Sequence, residues 1–210
     1  ISESDFTSTK HQPDPSVKKE YDFIYVCLKD NDKCEAGWQS HIRNWELAKK
    51  CLKIMCSKFK LKGLLVGRVN CDLPDICHKS MEIKDFMPQN EFFEQYKKSK
   101  FVFVPNIVDA SPRILTEALC YDLPCLVNYN ILGGWKYVNE HTGEFFHNEE
   151  DFEQSLKKLL NNLDNYTPSK YFRENYGKHT TGVELRDFLC ENLKDINFTK
   201  DTTKYISIGK

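Results

Sequence analysis

The 210-residue chain lacks any apolar run near the ~20 residues that a helix needs to cross a bilayer. No signal peptide is visible, and the first residue is Ile1 rather than Met, which reads as a piece of a longer protein. The chain also lacks net charge: 30 basic residues stand against 31 acidic ones, for a balance of −1. That removes a global attraction to nucleic acid or to a membrane surface. Internal repeats and low-complexity tracts are missing too. Its nine cysteines form no even, regularly spaced set. Cys27, Cys51, Cys56, Cys120, Cys125 and Cys190 lie in apolar segments, so they read as buried reduced thiols in a reducing, cytoplasmic compartment rather than a disulfide framework. Cys71, Cys77 and His78 cluster but have no second ligand pair at zinc spacing, so no metal is expected there. The sequons at Asn165 and Asn197 matter only on a secretory route.

What is present is a regular alternation. Residues 1–20 are polar, with Pro13 and Pro15, and read as a lead-in. Residues 21–198 read as one domain, and 199–210 as a tail. Phe23-Ile24-Tyr25-Val26 is a nearly continuous apolar run, which marks a strand buried on both faces. Ile42, Trp45, Ala48, Leu52 and Met55 recur at helical spacing and predict one helix over Trp38 to Ser57. Around it, Arg43, Lys49, Lys50, Lys53, Lys58, Lys60, Lys62 and Arg68 stand against one acid, Glu46, as a solvated helix face would. Further strands are expected at Leu61 to Val66, Met81 to Phe86, Phe101 to Val104, Pro124 to Asn128 and Thr142 to Phe146. Helices are expected at Glu91 to Lys98, Ser111 to Tyr121 and Glu149 to Leu163, then over Pro168 to Leu193 with a break near Gly177. This order implies right-handed βα crossovers: a Rossmann-like, three-layer α/β/α domain with a mostly parallel sheet of about six strands.

The segment Asp109-Ala-Ser-Pro-Arg-Ile-Leu-Thr-Glu117 carries the chemistry. It places two acids, with seven residues between them, between a strand and a helix at the carboxyl edge of a parallel sheet. Open α/β sheets bind ligands at that edge, often phosphates at a helix N-terminus. Ser111 suits the N-cap and Pro112 the first helical position. Glu117, about a turn and a half in, can point back toward Asp109. The same residues also fit a solvated helix with ordinary surface acids.

The order and these residues resemble the C-terminal, donor-binding half of GT-B glycosyltransferases of the retaining, family 4 (group 1) type. The resemblance spans roughly Tyr21 to Leu163. Asp109 and Glu117 match the family's two acids, and Ala118 to Pro124 its following stretch. Gly133-Gly134 matches its glycine pair, and Asp85-Phe86-Met87-Pro88 with Tyr96 to Pro105 the preceding unit. Ile1 to Pro13 is similar to its interdomain lead-in. Asp109 stands where glutamate is usual, and Ala110-Ser111-Pro112 replace a glycine-rich approach. Ala36-Gly37-Trp38 stand where a lysine-glycine is usual, and no basic pair aligns cleanly after the first strand.

The resemblance implies transfer of a sugar from a nucleotide diphosphate sugar to a glycan or glycoconjugate acceptor, with retention. The acceptor would be held by an N-terminal half that this chain does not include. The amides of Arg113, Ile114 and Leu115 would bind the diphosphate, as unpaired donors at the positive end of a helix dipole. Lys29, Lys33 or Arg68 could add charge there. Asp109 and Ser111 would hold the transferred sugar, and Glu117 the ribose hydroxyls in bidentate fashion. Groups near Phe86 and Met87 would hold the base. No metal cofactor is implied, although Asp30-Asn31-Asp32 keeps a metal-dependent reading open. An epimerase or phosphorylase on the same fold, a nucleotide-sugar-binding module without catalytic activity, and a flavodoxin-like receiver also remain open.

Overall fold

The computed structural model describes residues 11–193. The whole of the expected tail (199–210), the last residues of the expected domain (194–198) and the first ten residues of the lead-in lie outside them. Among the described residues one sheet of six strands organises the chain: β1 (Tyr21–Val26), β2 (Gly63–Val66), β3 (Met81–Lys84), β4 (Ser99–Val104), β5 (Cys125–Asn128) and β6 (Gly143–Phe146). The spatial order is β3-β2-β1-β4-β5-β6, and every neighbouring pair is parallel. Parallel neighbours need a crossover. Helices α1 (Trp38–Ile42) and α2 (Trp45–Ser57) link β1 to β2, α3 (Gln89–Lys97) links β3 to β4, and α4 (Arg113–Cys120) links β4 to β5, while short 3-10 turns at Asp75–Lys79 and Trp135–Tyr137 lie in the other two links. Helices α5 (Glu149–Asn161), α6 (Pro168–Asn175) and α7 (Lys178–Asn192) follow β6.

Side chains alternate along each strand, so β1 feeds two cores. Phe23 and Tyr25 join Phe101, Phe103 and Leu126 under α2 and α5. Tyr21 and Ile24 join Leu64, Val102 and Val127 under α3, α4 and α6. Apolar runs such as Phe101 to Val104 are thus buried on both faces, as a sheet covered by helices on two sides requires. Helix α5 starts on a reciprocal cap: Asn148 accepts from the Glu150 amide, and Asp151 accepts from the Asn148 amide.

Three expectations need correction. The helix expected over Trp38 to Ser57 is two helices, because Asn44 adopts the left-handed conformation (φ 50°, ψ 55°). Asparagine tolerates that region better than most residues. The break turns two carbonyls toward the sheet: Arg43 O accepts from the Tyr25 hydroxyl (3.1 Å), and Ile42 O accepts from the Ile107 amide (3.0 Å). The thiols are not all reduced, since Cys34 and Cys71 form a disulfide across a separation of 37 residues. It ties the loop after β1 to the loop after β2. Cys190, expected inside, is exposed on α7. The break near Gly177 stands as expected, with φ 95° between α6 and α7.

Candidate functional site

The strand order reverses direction between β1 and β4. The chain leaves β1 toward β2 and leaves β4 toward β5, so the two carboxyl-end loops diverge and open a crevice. The β1 side is shaped by Asp30, whose carboxylate accepts from the Gln39 amide (2.5 Å) and the Ser40 amide (2.9 Å) at the start of α1. Burial alone would raise its pKa, but the hydrogen bonds from Ser40 and Gln39 outweigh it and hold it below the usual carboxylate value. The β4 side carries Asp109, which meets Arg43 of the α1–α2 break at 3.3 Å. A hollow of about 280 Å³ lies between α1 and the β4 loop, lined by Gly37, Ser40, His41, Asn44, Trp45 and Ile107 among others.

A larger cleft, of about 710 Å³, lies between the β4–α4 loop, the segment 132–137 and α7. Its walls include Ala110, Ser111, Gly133, Gly134, Trp135 and Phe188. The glycine pair is required by contact. A Cβ on residue 133 would collide with the Ala110 carbonyl oxygen, and one on residue 134 would stand 2.5 Å from the Pro112 ring. Gly134 also has φ +84°, which disfavours any other residue. The two loops are therefore locked backbone to backbone.

Ser111 does not cap α4. Pro112 takes the cap position with extended backbone and no side-chain cap bond, and the helix begins at Arg113. The Leu115 amide already donates to the Pro112 carbonyl at 3.1 Å, so the start of the helix is tighter than expected. Of the expected diphosphate donors, Leu115 is thus engaged within its own turn.

Glu117 faces a different side of α4 from the large cleft. Its residue is only 9% exposed. Oε2 accepts from the Tyr96 hydroxyl (3.2 Å), and Oε1 from the Gln89 side-chain amide (3.3 Å). Burial pushes its pKa up, while the bonds from Tyr96 and Gln89 and the charge of Arg113 pull the other way without cancelling it. Gln89 opens α3 directly after the loop of Phe86 and Met87, so the second acid and the expected base loop do come together. Phe86 is 71% exposed there, while Met87 packs on the core.

The structure does not bring Asp109 and Glu117 into one cleft. Asp109 belongs to the switch-point crevice, and Glu117 to the β3–α3 side. The basic residues are scattered as well. Lys29 pairs with Asp32 at 2.8 Å, and Lys33 is exposed. Arg68, expected at the rim, is inside at 1% exposure. Its guanidinium lies 4.4 Å over the Trp45 ring and donates to Ser40 Oγ (3.0 Å) and the Leu28 carbonyl (3.2 Å). It therefore serves as an internal tie under the β1 loop. Arg43, Gln89, Tyr96 and Trp135 were not singled out from sequence. Arg43 was hidden in a basic helix face, and nothing local marks Gln89 or Tyr96 as partners of Glu117.

No protein-family model matches the sequence, and no curated protein is recognisably similar to it. Solved structures are similar in shape. The lipopolysaccharide outer core galactosyltransferase WaaB superposes with a TM-score of 0.63 at 14% identity, over 86% of this chain and 52% of its own. Sucrose-phosphate synthase from Thermosynechococcus elongatus gives 0.62 at 10%, over 91% and 52%. The pneumococcal O-GlcNAc transferase GtfA, in complex with UDP and GlcNAc, gives 0.61 at 14%, over 88% and 38%. The fold is that of one Rossmann-like half of a GT-B protein. The chain spans between 38% and 52% of the length of these three proteins. At such identities the likeness speaks for the fold alone.

Proposed function

We propose that this chain is the nucleotide-sugar-binding half of a retaining glycosyltransferase. One observation carries the reading. At the carboxyl edge of an all-parallel sheet with a β1/β4 switch point, the acid-bearing β4–α4 loop is locked against Gly133-Gly134 around a cleft of about 710 Å³. That is where a diphosphate can reach the first amides of α4. Two of the three solved structures named above are sugar transferases by their own descriptions, which supports the reading.

In this reading the ribose hydroxyls donate to Glu117, and the base lies along the Phe86–Pro88 loop. As the glycosidic bond breaks, charge grows on the leaving diphosphate. Amides fixed at the start of α4 stabilise it without having to reorganise. Asp109, held by Arg43, accepts hydroxyls of the transferred sugar. No divalent ion enters the proposal. Asp30 is committed to the start of α1, and Asp32 to Lys29.

Calorimetry against UDP, GDP, ADP and their sugars tests it. One of these binds the wild-type chain, and Glu117→Ala weakens that binding at least about tenfold, as loss of hydrogen bonds to a charged group does. Addition of EDTA leaves the affinity unchanged. Absence of binding to the whole panel would sink the proposal.

A second reading, a nucleotide-sugar-binding module without catalysis, is favoured by the basic residues. Lys29 is paired, and Arg68 is enclosed. Nucleotide binding with no sugar contribution to affinity would select it.

A further inference from the structure

The contact between Gln89 and Glu117 carries more than the placement of one acid. An ionised carboxylate can only accept hydrogen bonds. The Gln89 side chain must therefore turn its NH2 toward Glu117, at 3.3 Å. This fixes the orientation of the amide and leaves its carbonyl oxygen as the outward acceptor. Gln89 is exposed, whereas Tyr96, the other partner of Glu117, is fully buried. Glu117 is thus gripped from beneath by Tyr96 and from the rim by Gln89. A carboxylate offers about four acceptor sites, and these two bonds use two of them. Two sites remain, and Gln89 itself directly follows the loop that exposes the Phe86 ring.

We propose that Gln89 is a specificity-determining positioning residue, which holds Glu117 for a ribonucleoside cis-diol and adds its own acceptor beside it. The unit rests on the nucleotide reading given above and narrows it to ribose over 2′-deoxyribose. A vicinal diol presents two donors a short distance apart. The paired acceptors of Glu117 and Gln89 match that pattern. A 2′-deoxy ligand leaves one buried acceptor unmet, which a site built around polar groups rejects.

The same contact sets a pH response. Among the described residues, the groups that face Glu117 are Tyr96 from α3, Arg113 and Cys120 from α4, and Tyr121 just beyond it, with Arg173 of α6 acting on Cys120. Gln89 is the removable donor at the rim. Without it the carboxylate takes up a proton at higher pH. A protonated Glu117 accepts poorly from the diol, so affinity then falls off earlier as the pH is lowered.

The test compares wild type, Gln89→Ala and Gln89→Met by calorimetry with UDP, GDP and ADP and their 2′-deoxy counterparts, over a range of pH. The wild type favours the ribose form of its ligand about tenfold or more. Both variants lose most of that preference, and both show affinity loss beginning at higher pH. The Met variant has nearly the length and shape of glutamine but neither an NH2 to donate nor a charge, so a purely steric role would leave it like wild type. Carbon NMR titration of Glu117 without ligand reads the same contact independently: its midpoint rises in both variants. Wild-type behaviour of Gln89→Met in ribose preference and pH profile overturns this inference and leaves the nucleotide reading intact. If the wild type binds none of the three ribonucleotides, both are overturned.

Discussion

Glu117 is held by two requirements that pull in opposite directions. The binding role proposed for it needs an ionised carboxylate, yet the fold encloses it against Tyr96 on the buried side of α4. Its pKa is raised by burial in the folded state, so folding favours the proton. The stability this gives is present in full below the unfolded value and is lost as the pH rises through the folded one. Glu117→Gln removes the titration and keeps the shape. The two proteins should therefore be alike near pH 4, where the acid is largely protonated. Near pH 8 the variant should be the more stable by about 1 kcal/mol, as removal of a functional strain commonly yields. For a chain of this size that is about 2–4 °C in Tm. Melting curves at the two pH values check it. A variant no more stable than wild type at the higher pH would mean that Tyr96, Gln89 and Arg113 fully compensate the charge. Nothing in the local sequence announced this environment. The spacing of Ile114, Leu115, Ala118 and Leu119 gives the buried face of α4, but whether Glu117 lies at its edge or within it depends on where α3 packs.

At the scale of elements, the inner strands β1, β2, β4 and β5 were legible because each is a short, mostly apolar run covered on both faces, whereas the edge strands β3 and β6 each carry a glutamate. The helix over Trp38 to Ser57 was misjudged because Ile42, Trp45 and Ala48 keep helical spacing straight through the break at Asn44. The reason for the break is tertiary: the carbonyls it frees are taken by Tyr25 and Ile107. The Cys34–Cys71 disulfide was equally invisible, since the two residues sit in irregular polar segments 37 residues apart. Only the sheet brings the β1 and β2 loops side by side. The bond matters to the site because the β1 loop also carries Asp30, the partner of α1, and lies over Arg68. Closing a loop of that length restricts the unfolded chain by about 3–4 kcal/mol in the chain-entropy account. Reduction, or Cys34→Ser, should accordingly lower Tm by about 6–16 °C. The comparison is a melt with and without dithiothreitol, using the serine variant as the control that no longer responds to reductant. An unchanged Tm in both would show that the loops hold their places without the bond.

For the molecule as a whole, binding and turnover separate. The cleft at the start of α4 is open, and part of its wall is apolar and accessible: Trp135 is 47% and Phe188 60% exposed. Solvated surface of this kind around a sugar diphosphate leaves water free to compete with any acceptor. Transfer also needs the acceptor oxygen held about 3–3.5 Å from the reacting carbon, and that positioning is worth several orders of magnitude in rate. The chain spans at most 52% of the three solved proteins described above. We therefore expect it to bind a nucleotide sugar by calorimetry without consuming it. Nucleotide release in a coupled assay, with simple sugars offered as acceptors, should stay at the rate of buffer hydrolysis. Steady release near about 1 s⁻¹, the low end of ordinary enzyme turnover, would mean that the edge formed by the β4–α4 loop, Gly133-Gly134 and α7 positions an acceptor unaided. In that event the apolar wall of Trp135 and Phe188, rather than a second half, would be the first place to look for where the acceptor sits.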